Sequence, residues 1–154
     1  MLECVSTQRE ANEKGEIMNG KRFALGCVAV YVVYQVLGFL IHQVLFGDIY
    51  KLLESVWRPE AQMMSMMWIQ FFTSAVWVVL FCYIFTRGYE NKGAMEGARY
   101  GLLIGLFWGI PYAYESYMIY PITLSLAHGW FVTTVVVSVI CGVVFAMVYK
   151  PVEA

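Results

Sequence analysis

The sequence predicts an all-α fold: a four-helix transmembrane bundle with both termini cytoplasmic and a short interfacial helix on the outer side. Three observations predict it. The chain is 60% hydrophobic and 14% charged, whereas a soluble domain carries about 25% charge. Four apolar runs approach or exceed the roughly 20 residues needed to cross a bilayer. Glycine also recurs every fourth residue at Gly93, Gly97, Gly101, Gly105 and Gly109, with apolar fill between. In water each such glycine costs a helix about 1 kcal/mol relative to alanine. In lipid, small residues four apart let helix backbones approach.

Residues 1–20 are polar and contain four glutamates, Glu3, Glu10, Glu13 and Glu16. They lack the apolar stretch of a signal peptide and are expected to form a cytoplasmic tail. Residues 21–151 form the membrane domain. Its first span covers about residues 23–46, entered through Lys21 and Arg22. An interfacial helix over about 48–58 follows. There Ile49, Leu52, Leu53 and Val56 fall at i, i+3, i+4, i+7, opposite Lys51, Glu54, Ser55 and Arg58, the pattern of a helix lying on a membrane surface. Pro59 ends it or starts the next helix.

The second span covers about 61–85. The short charged loop between Arg87 and Arg99 carries Gly88 and Gly93 to turn the chain. The third span, about 97–114, holds the glycine row and meets Pro111, where a kink is expected because proline removes a helical hydrogen bond. The fourth covers about 122–149; β-branched residues crowd Val132–Val139, but its length favours helix over strand. Lys and Arg in the flanks set the orientation. Eight lie on the side of the termini, against Lys51 and Arg58 on the other.

A step of four residues turns a helix about 400°, so the row Gly97, Gly101, Gly105, Gly109 winds by about 40° per step. It is expected to serve two partners: two other helices, or one helix and a second copy of the chain. A gap in the row could also take a lipid, quinone or pigment ring.

Polar residues at membrane depth are costly and often functional. Tyr31, Gln35, Gly38 and His42 share one face of the first span, and Gln70, Thr73, Ser74 and Trp77 one face of the second. Counting about 1.5 Å per residue places His42 and His128 in the same outer layer. The candidate pocket is therefore Gln35, His42, Gln70, Tyr112, Glu115 and His128. Two imidazoles at one level would also suit haem as axial ligands, with His42 and His128 in that role. No other metal site or cofactor is predicted.

No Ser–His–Asp pattern, HExxH, phosphate loop or cysteine pair occurs, so no catalytic residue is assigned. Cys4, Cys27, Cys82 and Cys141 read as small core residues. Nothing basic and clustered points to nucleic acid.

Several four-span families differ at their defining residues. Small multidrug transporters carry a carboxylate in the first span, where this chain has Gln35. The glutathione-linked eicosanoid enzymes carry a Glu-Arg and Asn signature in the second span, which is missing here. The vitamin K epoxide reductases need CxxC. With Trp57-Arg58-Pro59 closing the surface helix and Glu96-Gly97-Ala98-Arg99-Tyr100-Gly101 opening the third span, the chain resembles a type of small four-span bacterial inner-membrane protein that has no established activity. That resemblance implies the location and no functional residues.

The expected function is that of a structural or accessory subunit, as a homo-oligomer or within a larger membrane complex, contacting its partners and lipids through glycine-mediated packing. The alternative is a protein that binds or transports a small molecule, lipid or cofactor in the outer-leaflet pocket.

Overall fold

The computed structural model describes residues 19–149, so most of the expected N-terminal tail lies outside the described residues. Among those described, the regular structure is entirely helical. α1 spans Gly20–Phe39, capped by the Asn19 side chain, which accepts from the Arg22 N–H. It continues into a wider π-helical turn over Leu40–Leu45, closed by the Phe46 N–H donating to the Ile41 carbonyl at 2.9 Å. Short pieces follow: α2, Gly47–Leu52; a 3₁₀ turn, Glu54–Val56; and α3, Glu60–Ser65. Three long helices complete the chain: α4, Met67–Arg87; α5, Ala94–Ile119; and α6, Leu124–Val148. Among the described residues three helices are long and apolar enough to cross a membrane: Gly20–Leu45, Met67–Arg87 and Leu124–Val148. α5 is as long, at 26 residues, but its glycines, tyrosines and charged first turns make it less apolar.

The boundaries differ from expectation in three places. The surface helix over 48–58 is broken, because Leu53 leaves helical geometry and the chain tightens to 3₁₀. Its apolar side lies on protein as well as outward: Ile49, Leu53, Val56 and Trp57 pack on the core, while Leu52 is 86% exposed. The run expected over 61–85 is interrupted at Met66, where the backbone turns to φ −101° and α3 gives way to α4. The third helix begins earlier and ends later than 97–114, and it runs through Pro111 without interruption.

Contacts fix the topology. Cys27 meets Cys82 and, further along α1, Tyr34 stacks on Trp77, so α1 and α4 are antiparallel; the Tyr31 hydroxyl also donates to the Phe71 carbonyl. Phe145 covers Gly26 and Phe46 covers Gly129, so α1 and α6 are antiparallel as well. α5 packs along α6 far more extensively than any other pair, whereas α4 and α5 scarcely approach each other. The helices therefore form an open row, α4–α1–α6–α5. Its two ends meet where the Tyr100 hydroxyl donates to the Phe81 carbonyl at 2.5 Å.

The α5–α6 seam explains the glycines. Gly97, Gly101, Gly105 and Gly109 are all buried and all face α6. A Cβ on Gly97 would overlap the Gly142 carbonyl, and a Cβ on Gly142 would overlap that of Gly97. Gly101 and Gly105 lie against the backbone of Ser138, Val139 and Val135, and Gly109 against Phe131 and Thr134. One partner takes the whole row, which corrects the expectation of two. α6 answers it with its own spaced series of small residues, Ser138, Gly142 and Ala146, so the two rows stay in register as the helices pass.

The core falls into two clusters. One, towards the termini, gathers Val30, Phe81, Phe85, Phe145 and the free thiols Cys27, Cys82 and Cys141. The other, at the far end, gathers Phe46, Ala113, Leu126 and Trp130. A cavity separates them.

Candidate functional site

The cavity has a volume of about 340 Å³ and is walled by all four long helices. It exists because its walls carry small residues at one level: Gly38 on α1, Thr73 and Ser74 on α4, Thr134 and Ser138 on α6. Trp77 and Val137 form its floor, since they also pack on the cluster nearer the termini. Its side between α4 and α5 is open, because those helices stay apart at this level. Trp108, 52% exposed, and Tyr112 stand there on α5.

The π turn brings His42 into the lining. Such turns insert one extra residue and re-aim side chains, often at functional sites. His42 is held from behind. Its Nδ1 lies 2.7 Å from the Tyr50 hydroxyl, which also accepts from the indole N–H of Trp130 at 2.9 Å. Indole is a donor only and a phenol has one proton to give. The arrangement that satisfies all three groups has Tyr50 donating to Nδ1. The neutral imidazole then carries its proton on Nε2, which is left as a free donor. Burial raises the Tyr50 phenol to about 12, opposed by the bond from Trp130 and helped by Tyr112, so it remains a donor through neutral pH.

Trp130 is the hub of the far-end aromatic cluster. Tyr112 stacks on it at 5.7 Å, and Tyr50 and Trp57 lie at 6.5 and 6.2 Å. Trp57 thereby explains the Trp57-Arg58-Pro59 motif: its ring anchors the connection between α1 and α4, while Pro59 begins α3.

Of the six expected pocket residues, His42 and Tyr112 line the cavity. Gln35 donates to the Tyr31 hydroxyl at 3.1 Å and so supports the tether from α1 to α4. Gln70 lies in a fully exposed stretch of α4. Glu115 is exposed, about 200° round the helix from buried Ala113. His128 is exposed; its Nδ1 bonds the Leu124 carbonyl of its own helix at 2.8 Å, and its ring meets Tyr114 edge-on. Depth alone grouped these residues. Helix rotation separates them: His128 stands about 200° from buried Leu126 and Trp130. The two histidines share neither a partner nor a cavity among the described residues. Among the described residues no cluster of three His, Cys, Asp or Glu could hold a metal ion.

The sequence reading missed Tyr34, Ser138, Thr134 and Trp108. The first three sit in apolar runs on faces that were not compared across helices. Ser138 and Gly142 carry a readable signal, small residues four apart.

The opening motif of α5 is structural. The Glu96 carboxylate, buried, accepts the backbone N–H of Glu90 at 2.6 Å and of Lys92 at 2.8 Å. It thereby holds the turn in which Asn91 and Gly93 adopt positive φ. Gly97 and Gly101 then set the seam, and Tyr100 ties α5 to α4.

Fold and site together define a helical bundle with membrane-length helices and a laterally open internal cavity. No family model, curated protein or solved structure matches the chain.

Proposed function

We propose that this is a four-span integral membrane protein that binds a small lipid-soluble molecule in the cavity between its helices. It would lie in a bacterial inner membrane with both termini cytoplasmic, the side richer in Lys and Arg. The observation that carries the reading is the cavity itself. Ligand sites typically measure 300–1,000 Å³ and are mainly apolar and aromatic with a few placed polar groups. This one measures about 340 Å³, with four aromatic residues and His42 in its walls. Its open side faces the surroundings of the long helices, so a molecule dissolved in lipid would reach it without crossing water.

Gly38 supplies the test. It lines the cavity, and a Cβ there would meet nothing within 4 Å. Gly38→Leu therefore fills the cavity without disturbing the helices. Wild-type protein extracted in mild detergent should retain a small molecule detectable by native mass spectrometry, and Gly38→Leu should lose it with an unchanged circular dichroism spectrum. Equal retention by both, or none by either, would sink the reading.

An accessory-subunit role has one observation in its favour. Every residue from Arg58 to Thr73 is exposed, including Met63, Met64, Met66, Met67, Trp68 and Phe72. Such a methionine-rich surface adapts readily to partners. The glycine row would not supply those contacts, since α6 already occupies it. A partner chain carried through the same native mass measurement would favour this second reading.

A further inference from the structure

Resting on the binding role just proposed, we propose that the cavity takes the ring of a quinone: planar, uncharged, with carbonyl acceptors and a lipid-soluble tail. Three features point there. The first is shape. Tyr34 and Trp77 are stacked with each other at 5.0 Å on α1 and α4, and Trp108 and Tyr112 at 6.3 Å on α5. All four line the cavity, so aromatic surface stands on both sides of it, which favours a flat aromatic guest. A cavity of about 150 Å³ holds a benzene ring, and this one is more than twice that.

The second feature is the donor pattern. In this protein helical hydroxyls usually turn back on their own helix: Thr73, Thr86, Ser116 and Thr133 each donate to a carbonyl three or four residues earlier. Ser74 and Ser138 do not. They are 6% and 2% exposed, line the cavity from α4 and α6, and have no hydrogen-bond partner among the described residues. Neither oxygen is among the fully buried side-chain atoms that lack a partner, so both hydroxyls remain accessible and free to donate to a guest. A guest with acceptors on opposite edges would satisfy one on each wall, and the free Nε2–H of His42 adds a third donor on α1.

The third feature is charge. No Asp, Glu, Lys or Arg lines the cavity, so it offers an ionised headgroup no counter-charge. Its gap between α4 and α5 gives an isoprenoid or alkyl tail a way out.

Menadione and methylnaphthalene share a carbon skeleton and differ in the two carbonyls, which makes them the probes. Binding of each to the full chain in dodecylmaltoside micelles is measured by equilibrium dialysis against empty micelles. Menadione should bind about tenfold tighter than methylnaphthalene, as one or two net hydrogen bonds imply. Ser74→Ala with Ser138→Ala should erase that advantage while leaving methylnaphthalene binding in place, which also shows that the variant is folded. Equal binding of both probes to wild type overturns the quinone assignment and leaves the cavity a site for apolar molecules. No binding of either above empty micelles overturns both.

Discussion

Replacing Gly101 with alanine should weaken the protein, although alanine is the better helix former. A Cβ at Gly101 would sit 2.6 Å from Val139 Cα and 2.7 Å from the Ser138 carbonyl carbon, where ordinary contact begins at 3.4 Å. The shortfall from 3.4 to 2.6 is 0.8 Å. All three nearest atoms belong to the α6 backbone, so no side-chain rotation relieves it and one helix must move. Overpacking of this kind costs about 1–3 kcal/mol, offset by about 1 kcal/mol of helix propensity. Gly38→Ala isolates the second term, because its Cβ enters open space. The difference between the two variants should therefore be about 1–3 kcal/mol, with Gly38→Ala at least as stable as wild type. Titration with SDS from dodecylmaltoside, followed by circular dichroism, measures it. Gly101→Ala as stable as Gly38→Ala would refute the account of the seam.

Two other perturbations probe the far end and the loop. Tyr50→Phe leaves both Trp130 Nε1 and His42 Nδ1 without their shared partner and should cost about 1–3 kcal/mol in the same titration. The Tyr50 phenol is raised from 10.0 to about 12, so the unfolded chain loses that proton first as pH rises. Its contribution to stability is thus complete below pH 10 and is lost between there and about pH 12. Phenolate absorbance near 295 nm should show a late-titrating tyrosine in wild type that is missing from Tyr50→Phe; identical curves would remove the buried-donor role. Glu96→Ala orphans the N–H groups of Glu90 and Lys92. Trypsin should then cut at Lys92 several times faster, and an unchanged rate would mean the carboxylate does not hold the turn.

The helical character of the chain was legible because it needs only run length and composition. The glycine row was legible as a packing device for the same reason, since its spacing is local. Its single partner was not legible, because Ser138, Gly142 and Ala146 of α6 follow the winding row round, and that pairing joins two helices. The candidate site was half visible. His42 and Tyr112 emerged from polarity and depth, but depth fixes one coordinate of three. His128, Glu115, Gln35 and Gln70 fall outside the lining, because a position in the bundle also needs an azimuth, and azimuth is set by contacts between helices distant in sequence. The π turn that re-aims His42 has no marker in Leu40–Leu45: no proline, glycine or charge interrupts those six residues. The role of Tyr50 has no local marker either, because its bond to Trp130 joins residues eighty positions apart.

Backbone touching backbone along α5 and α6 leaves no compressible side chain between them. Mechanically the pair is one double-thickness beam, unable to slide or splay without losing every small-residue contact at once. Flexing of the molecule must then concentrate elsewhere, at α4, whose contacts are made by side chains such as Val78, Phe81 and Phe85 and by the hydroxyl bonds Tyr31 to Phe71 and Tyr100 to Phe81. Breathing of the chamber is thereby assigned to α4, the wall joined through interlocking side chains and not through touching backbones.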